Sequence, residues 1–294
     1  MEKGYDLHCH TIASDGNLDL EELVKLAQNC NLEGFAVTDH DILSASKKAK
    51  YIKEIEIIPG VELSGKLDKY LIELTGYFVN PFSKELEDAC EINLELRRAR
   101  VGKIIHKINE KYRRKLEKEI TYDEVLGATS QKEGSVGLNH INKILINKKL
   151  FKGREAFSEC LGRNSENSCY IERDCIDFDY AISAITDAGG VVGLPHPALI
   201  SCEYPLLCDK EFFGLIRPYL GKQIKVVETD YPYKKARPEF GDLSEKEEFW
   251  RRVSSEYDLV GVGGSDGHQK PEGPGLGEKR TAITSVEIIR KYAS

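Results

Sequence analysis

Apolar and polar positions along the first ninety residues switch repeatedly between the two-residue period of a strand and the 3.6-residue period of a helix. Asp6-Leu7-His8-Cys9-His10 reads as a strand leaving at His10. Asp19 and Glu22 have the spacing of a capping box, and Leu20, Leu23, Val24 and Ala27 follow at helical intervals. Residues 34–38 form the next strand, ending at Asp39-His40, and a short helix is expected near 43–53. The run 55–58 reads as a strand that stops at Pro59-Gly60-Val61-Glu62, and 70–78 as a further strand.

From about 84 to 175 the pattern turns helical and charged. Val101, Ile104, Ile105 and Ile108 define one apolar face, opposite Arg97, Arg98, Arg100, Lys103, Lys107 and Lys111. Strand and helix alternate again through 180–188, 191–194, 224–228, a helix capped by Ser244 with Glu247 three residues on, and 259–262. There is no internal repeat. The parse is an α/β chain: a β/α barrel from residues 1–83 and 176–294, interrupted by a helical insertion over 84–175 that is expected to cover the active site.

Composition narrows the class. Of 294 residues 40% are apolar, enough for a large core, and no stretch has the apolar length of a membrane span. The formal charge of −7 argues against a general grip on nucleic acid or anionic membranes, so no extended nucleic-acid binding is expected. Tyr5-Asp6-Leu7-His8 follows the first residues with no basic-then-apolar leader, which points to the cytoplasm. The eight cysteines show no C-x-x-C pair and read as reduced structural thiols, with Cys9 turned away from its histidine neighbours.

Candidate chemistry gathers at strand ends: His8-Cys9-His10, Asp15, Thr38-Asp39-His40-Asp41, Gly60-Val61-Glu62, Leu194-Pro195-His196-Pro197 and Gly264-Ser265-Asp266-Gly267-His268. Five of the seven histidines lie in these pieces. Imidazole and carboxylate hold borderline-to-hard divalent metals. In β/α barrels, residues at the carboxyl ends of different strands meet on one face. A lone H-x-H is a weak signal, but six such pieces in order indicate a metallohydrolase.

This succession of motifs resembles the PHP (polymerase and histidinol phosphatase) family, nearly end to end. The resemblance implies a distorted seven-stranded β/α barrel of the TIM-like kind with two or three divalent ions, Mn2+ first, with Zn2+ or Fe2+ as alternatives. By motif, His8, His10, Glu62 and Asp266 hold one metal, Asp15, His40 and His268 a second, and His196 with the bridging Glu62 a third. Relatives have a histidine where Glu73 stands. Glu73 then either binds a harder ion, leaves the third site weak or empty, or pairs with a nearby Arg or Lys.

The resemblance further implies substrate contacts from Arg97 and Arg100 and from His140 of Gly137-Leu138-Asn139-His140, a segment that in relatives reads G-R-P-H. Glu228 is expected to touch a ribose or a ligand, and His196 or His268 to protonate the leaving group. His106 is expected to be structural, and Gly273-Pro274-Gly275-Leu276-Gly277 a loop near the site rather than a phosphate cradle. The expected activity is metal-dependent hydrolysis of a small phosphate ester, such as a nucleotide, a sugar phosphate or a 3′,5′-nucleoside bisphosphate, by a hydroxide shared between two ions. The alternatives are a cyclic phosphodiesterase, a histidinol phosphatase and a non-catalytic accessory module. Oligomeric state is left open.

Overall fold

Asp19 accepts the Glu22 N–H at 2.8 Å while the Glu22 carboxylate takes the Asp19 N–H at 2.9 Å, which closes the expected capping box. That box starts α1 (Leu20–Asn29), whose Leu20, Leu23, Val24 and Ala27 are buried. The computed structural model describes residues 3–128, 135–153, 155–163, 166–204, 207–269 and 273–293. Around α1 lie β1 (Tyr5–Cys9), β2 (Gly34–Val37), α2 (Ser44–Ala49), β3 (Glu56–Leu67) and β4 (Tyr70–Tyr77). The helical stretch holds α3 (Lys84–Tyr112), α4 (Tyr122–Gly127) and α5 (Leu138–Asn147). Next come β5 (Ile176–Asp177), α6 (Phe178–Asp187), β6 (Val191–Leu194), α7 (Ile200–Glu203), α8 (Asp209–Ile216) and β7 (Ile224–Asp230). The chain finishes with α9 (Tyr233–Ala236), α10 (Ser244–Glu256), β8 (Val260–Gly263) and α11 (Ile283–Tyr292).

The strands form one sheet in the order β1-β2-β3-β4-β6-β7-β8, with β5 attached to β3. Its two ends approach each other: His10 N–H donates to the Gly267 carbonyl at 3.1 Å, and Gly267 N–H to the His8 carbonyl at 3.3 Å. The result is a mixed α/β fold with a curled, half-barrel sheet, in the expected class.

Two sequence expectations fail in detail. The strand expected to stop at Pro59 runs on to Leu67. Its first half pairs in parallel with β2, from Glu56 to Pro59, and its second half antiparallel with β4, from Gly60 to Leu67. Proline lacks the N–H that a central ladder needs, and it stands where the partner changes. Nor does Ser244 cap α10: the preceding Leu243 takes that position, and Asp242 Oδ1 accepts the Ser244 N–H at 3.1 Å.

α3 begins at Lys84 and runs unbroken between two apolar clusters. Leu86, Ala89 and Cys90 pack in the main core with Ile182 and Ile185, whereas Val101, Ile104 and Ile108 share a separate apolar cluster with Val125, Ile141 and Leu145. Among the described residues, no helix is long and apolar enough to cross a membrane.

Candidate metal centre

β1 and the residue beyond it present His8 and His10 on one side, as the two-residue strand period requires. Cys9 between them points the other way, into a cluster with Leu20, Leu23 and Phe35, and its thiol donates to the Ala36 carbonyl at 3.0 Å. β2 delivers His40 three residues past its last residue, Val37, and β3 delivers Glu62 just beyond its change of partner. β6, β7 and β8 are followed by, or contain, His196, Glu228 and Asp266 with His268.

Fully buried Glu62 is the hub. Its Oε2 lies 2.8 Å from His40 Nδ1 and 3.5 Å from Nε2 of both His8 and His10, and its Oε1 is 3.0 Å from His196 Nε2. Asp266 Oδ1 is 3.0 Å from His10 Nε2 and 3.6 Å from His8 Nε2. On the other side His268 Nε2 is 2.9 Å from Asp15 Oδ1, and the His10 and His268 rings stack with centroids 4.3 Å apart. Ligand atoms lie within 4.8 Å of one another in three groups: His8, His10 and Glu62; His10, Asp15, His40 and His268; and His40, Glu62 and Glu73.

The electrostatics are those of a cation-deficient cage. Burial opposes charge on His8, yet Glu62, Glu228 and Asp266 outweigh it and hold this imidazole well above its ordinary range. Half-buried His40 and buried His196 are pushed up to about 9, in both cases chiefly by Glu62. His10, buried and facing His268 and His40, is pushed down to about 3. Glu62 is buried as well, but its imidazole neighbours keep it well below the usual carboxylate range. Four buried atoms that face this cluster, His8 Nε2, His10 Nε2, His40 Nδ1 and Glu62 Oε2, make no hydrogen bond. Buried polar atoms are rarely left so, and nitrogen and carboxylate donors in this number suit a divalent metal.

A supporting layer holds these groups; sequence reasoning marked Glu228 and Asp39 but gave no role to Asp6 or Tyr231. Glu228, expected at the substrate, lies instead at the far edge of His8: Oε1 is 3.3 Å from His8 Nδ1, and Oε2 accepts the His196 N–H at 2.7 Å. Gly264 permits this approach, because a Cβ there would fall on Glu228 Oε1 and within 2.5 Å of His8 Cβ. Buried Asp39 accepts from Thr11 N–H and Oγ1 at 2.7 Å and from Ser14 Oγ at 2.6 Å, which pins the loop carrying Asp15. Asp6 accepts the N–H groups of Ser265 and Gly277, and burial pushes its carboxyl up to about 6. The Tyr231 hydroxyl donates to Asp266 Oδ2 at 2.7 Å. Three residues of the site, Asp41, His196 and Asp266, have φ of +52°, +29° and +48°, a strained region for side-chain-bearing residues.

The helical segment meets the centre on two sides. Arg97 is buried, its Nε donating to Asp41 Oδ2 at 2.6 Å, and Asn93 Nδ2 donates to Asp41 Oδ1 at 2.8 Å. Arg173 bridges Asp41 and Glu73. Across the cluster, Ser135 N–H donates to the Ala13 carbonyl and Asn139 Nδ2 to Asp15 Oδ2 at 3.3 Å. The remaining expected contacts are turned elsewhere. Arg100 donates to the Ile171 carbonyl at 2.7 Å and sits over the Tyr170 ring. Buried His140 takes the Gly137 N–H at the start of α5. His106 is exposed beside Glu110, and residues 273–277 form a loop held to Asp6 through Gly277.

A half-barrel with a strand-end cage of histidines and carboxylates defines a metal-dependent hydrolase. The PHP domain model matches residues 6–174, more than half of the chain, and the chain belongs to the PHP family. It is a metal-dependent phosphoesterase of that family.

A 5′-3′ exoribonuclease of Haemophilus influenzae is 26% identical over 97% of both chains. The 5′-3′ exoribonuclease Rnm of Escherichia coli is 29% identical over 66% of this chain and 65% of its own length. Among solved structures, a Bifidobacterium adolescentis protein described as a metal-dependent phosphoesterase superposes with a TM-score of 0.83 at 24% identity, covering 100% of this chain and 98% of its own. An amidohydrolase from Chromobacterium violaceum gives 0.77 at 17%, covering 98% and 96%. These two likenesses concern the fold.

Proposed function

We propose that this phosphoesterase removes nucleotides from the 5′ end of an RNA chain. The carrying observation is a file of cations that starts beside the metal cage and leads away from it. Arg97 binds Asp41, next to His40; along α3 there follow Arg100 and the exposed Lys103, Lys107 and Lys111. Lys107 and Lys111 meet only the carbonyls of Tyr170 and Asn167, so no carboxylate among the described residues is bonded to them. A file of this kind suits a chain of phosphates better than one small ester. The exoribonuclease activity named for the H. influenzae relative, similar over nearly its whole length, supports the same substrate class.

In this reading His8, His10, Glu62 and Asp266 would hold one divalent ion, and Asp15, His40 and His268, with His10 at their side, would hold a second. Ions held there would supply an acidified water and positive charge opposite the phosphoryl oxygens. Glu62, ionised and central, balances the positive charge of both positions. Glu228 orients His8, Tyr231 holds Asp266, and Asp39 fixes the Asp15 loop. As water oxygen bonds to phosphorus and the P–O bond to the leaving sugar oxygen breaks, that oxygen needs a proton. His196 is the donor, because its Nε2 meets Glu62 Oε1 and it stands outside the groups centred on His10, whereas His268 belongs to one. Arg97, Asn139 and Arg173 carry the contacts by which the helical segment would roof the cage.

The roof also favours a second reading, a small phosphate ester such as a 3′,5′-nucleoside bisphosphate, since Ser135 and Asn139 close over the Asp15 loop. The two separate in one assay with Mn2+ and 5′-phosphorylated RNA beside mono-, bis- and cyclic phosphates. Successive release of mononucleotides from the 5′ end is the expected result. Turnover confined to the small esters overturns the RNA reading.

A further inference from the structure

Glu73 stands at the third of the ligand groups, its Oε1 3.7 Å from His40 Nδ1 and its Oε2 3.9 Å from His196 Nε2. The same Oε1 accepts from Arg173 Nη1 at 3.4 Å, while Arg173 Nη2 reaches Asp41 Oδ2 at 3.3 Å. Arg173 and Glu73 are both largely withdrawn from solvent, with side chains 14% and 19% exposed. Asp41 is an immobile anchor: it is fully buried and receives Arg97 Nε, Asn93 Nδ2 and the Ser64 N–H. Ser64 is the direct partner of Glu73 in the β3–β4 ladder, so anchor and carboxylate belong to one rigid patch.

The charges at this corner already match. Asp41 and Glu73 carry two negative charges, and Arg97 and Arg173 two positive ones. A neutral imidazole at position 73 would need no counter-charge and would leave its nitrogen for a metal; a carboxylate needs one, and the guanidinium supplies it permanently. A divalent ion entering between His40, Glu62 and Glu73 would have to displace a fixed cation or lie against it.

Resting on the two-ion ligand assignment above, we propose that Arg173 takes the place of a third metal ion. The Glu73–Arg173 pair closes the third position, and the centre binds two divalent ions. Arg173 is thus a positioning residue that acts through Glu73 on the metal number, and His196 is left in its contact with Glu62.

The test counts ions in the full chain. Metal-free protein is titrated with Mn2+ by calorimetry, and bound Mn2+ is measured by elemental analysis after gel filtration, with circular dichroism as a check on folding. Two ions per chain are expected in the natural protein and in Arg173→Lys. Three are expected in Arg173→Gln and in the double variant Glu73→His with Arg173→Gln, where a ligand replaces the pair. Three ions in the natural protein overturn the proposal, as do two in the double variant. Fewer than two in the natural protein instead removes the ligand assignment beneath it. RNA turnover is measured apart from the count, so failure to cleave RNA leaves the two-ion result standing on its own.

Discussion

Single residues at this centre are held by contacts that leave little slack. Gly264→Ala would drive a methyl group between Glu228 and His8. Overpacking of this kind costs about 1–3 kcal/mol, and a lowered Tm in thermal denaturation is the expected outcome. Glu228→Gln keeps the shape but takes the charge from behind His8; Mn2+ affinity by calorimetry is expected to fall about 10- to 100-fold, the usual effect of losing a carboxylate behind a ligating histidine. The cluster of histidines and carboxylates was legible in the sequence because histidine is scarce here and five of the seven stood where an apolar run stopped. Tyr231 and Arg173 were not, and Asp6 and Asp39 were seen only as neighbours of histidines. A lone aspartate, tyrosine or arginine carries no period and no spacing, and its role appears only when strands distant in sequence are brought together. Glu228 was seen but misplaced, since a strand-end carboxylate looks the same whether it faces the substrate or the back of an imidazole.

At the scale of elements, the capping box of α1 and the alternation of β1, β2 and β3 could be read directly, because each depends on neighbours in sequence. The extension of β3 could not: Pro59 carries the sign of a strand end, yet it marks a transfer from β2 to β4, and Glu62 sits just past that transfer. α3 is the element on which the substrate reading depends. Lys103, Lys107 and Lys111 are four residues apart, which places them on one face in steps of about 6 Å, of the order of the spacing between phosphates in an extended single strand. Reversing all three to glutamate is expected to raise KM for a long 5′-phosphorylated RNA about tenfold while a dinucleotide is turned over as before. Three lost phosphate contacts would also flatten the dependence of log affinity on log salt by about 2. Equal loss on both substrates would place the lysines outside the path of the chain.

For the molecule as a whole, a net charge of −7 pointed away from nucleic acid, and the proposed RNA activity requires a local basic face that this sum hides. Lys103, Lys107 and Lys111 lie along one side of α3, while the carboxylates Glu62, Glu73, Asp15 and Asp266 are gathered at the cage, where they face histidines. Net charge averages the two; a metal-loaded cage would cancel much of the second and leave the first. The fold expected from alternating periods survives at this scale, with one reversed strand, β4, that a seven-unit β/α pattern did not contain. The most direct measurement is metal removal. Protein stripped with a chelator should hydrolyse neither RNA nor small phosphate esters, recover on addition of Mn2+, and fail to recover when His10→Ala removes the imidazole shared by two of the ligand groups. Unchanged hydrolysis by the stripped protein, or full recovery of the His10→Ala variant, would contradict a metal centre built on these residues.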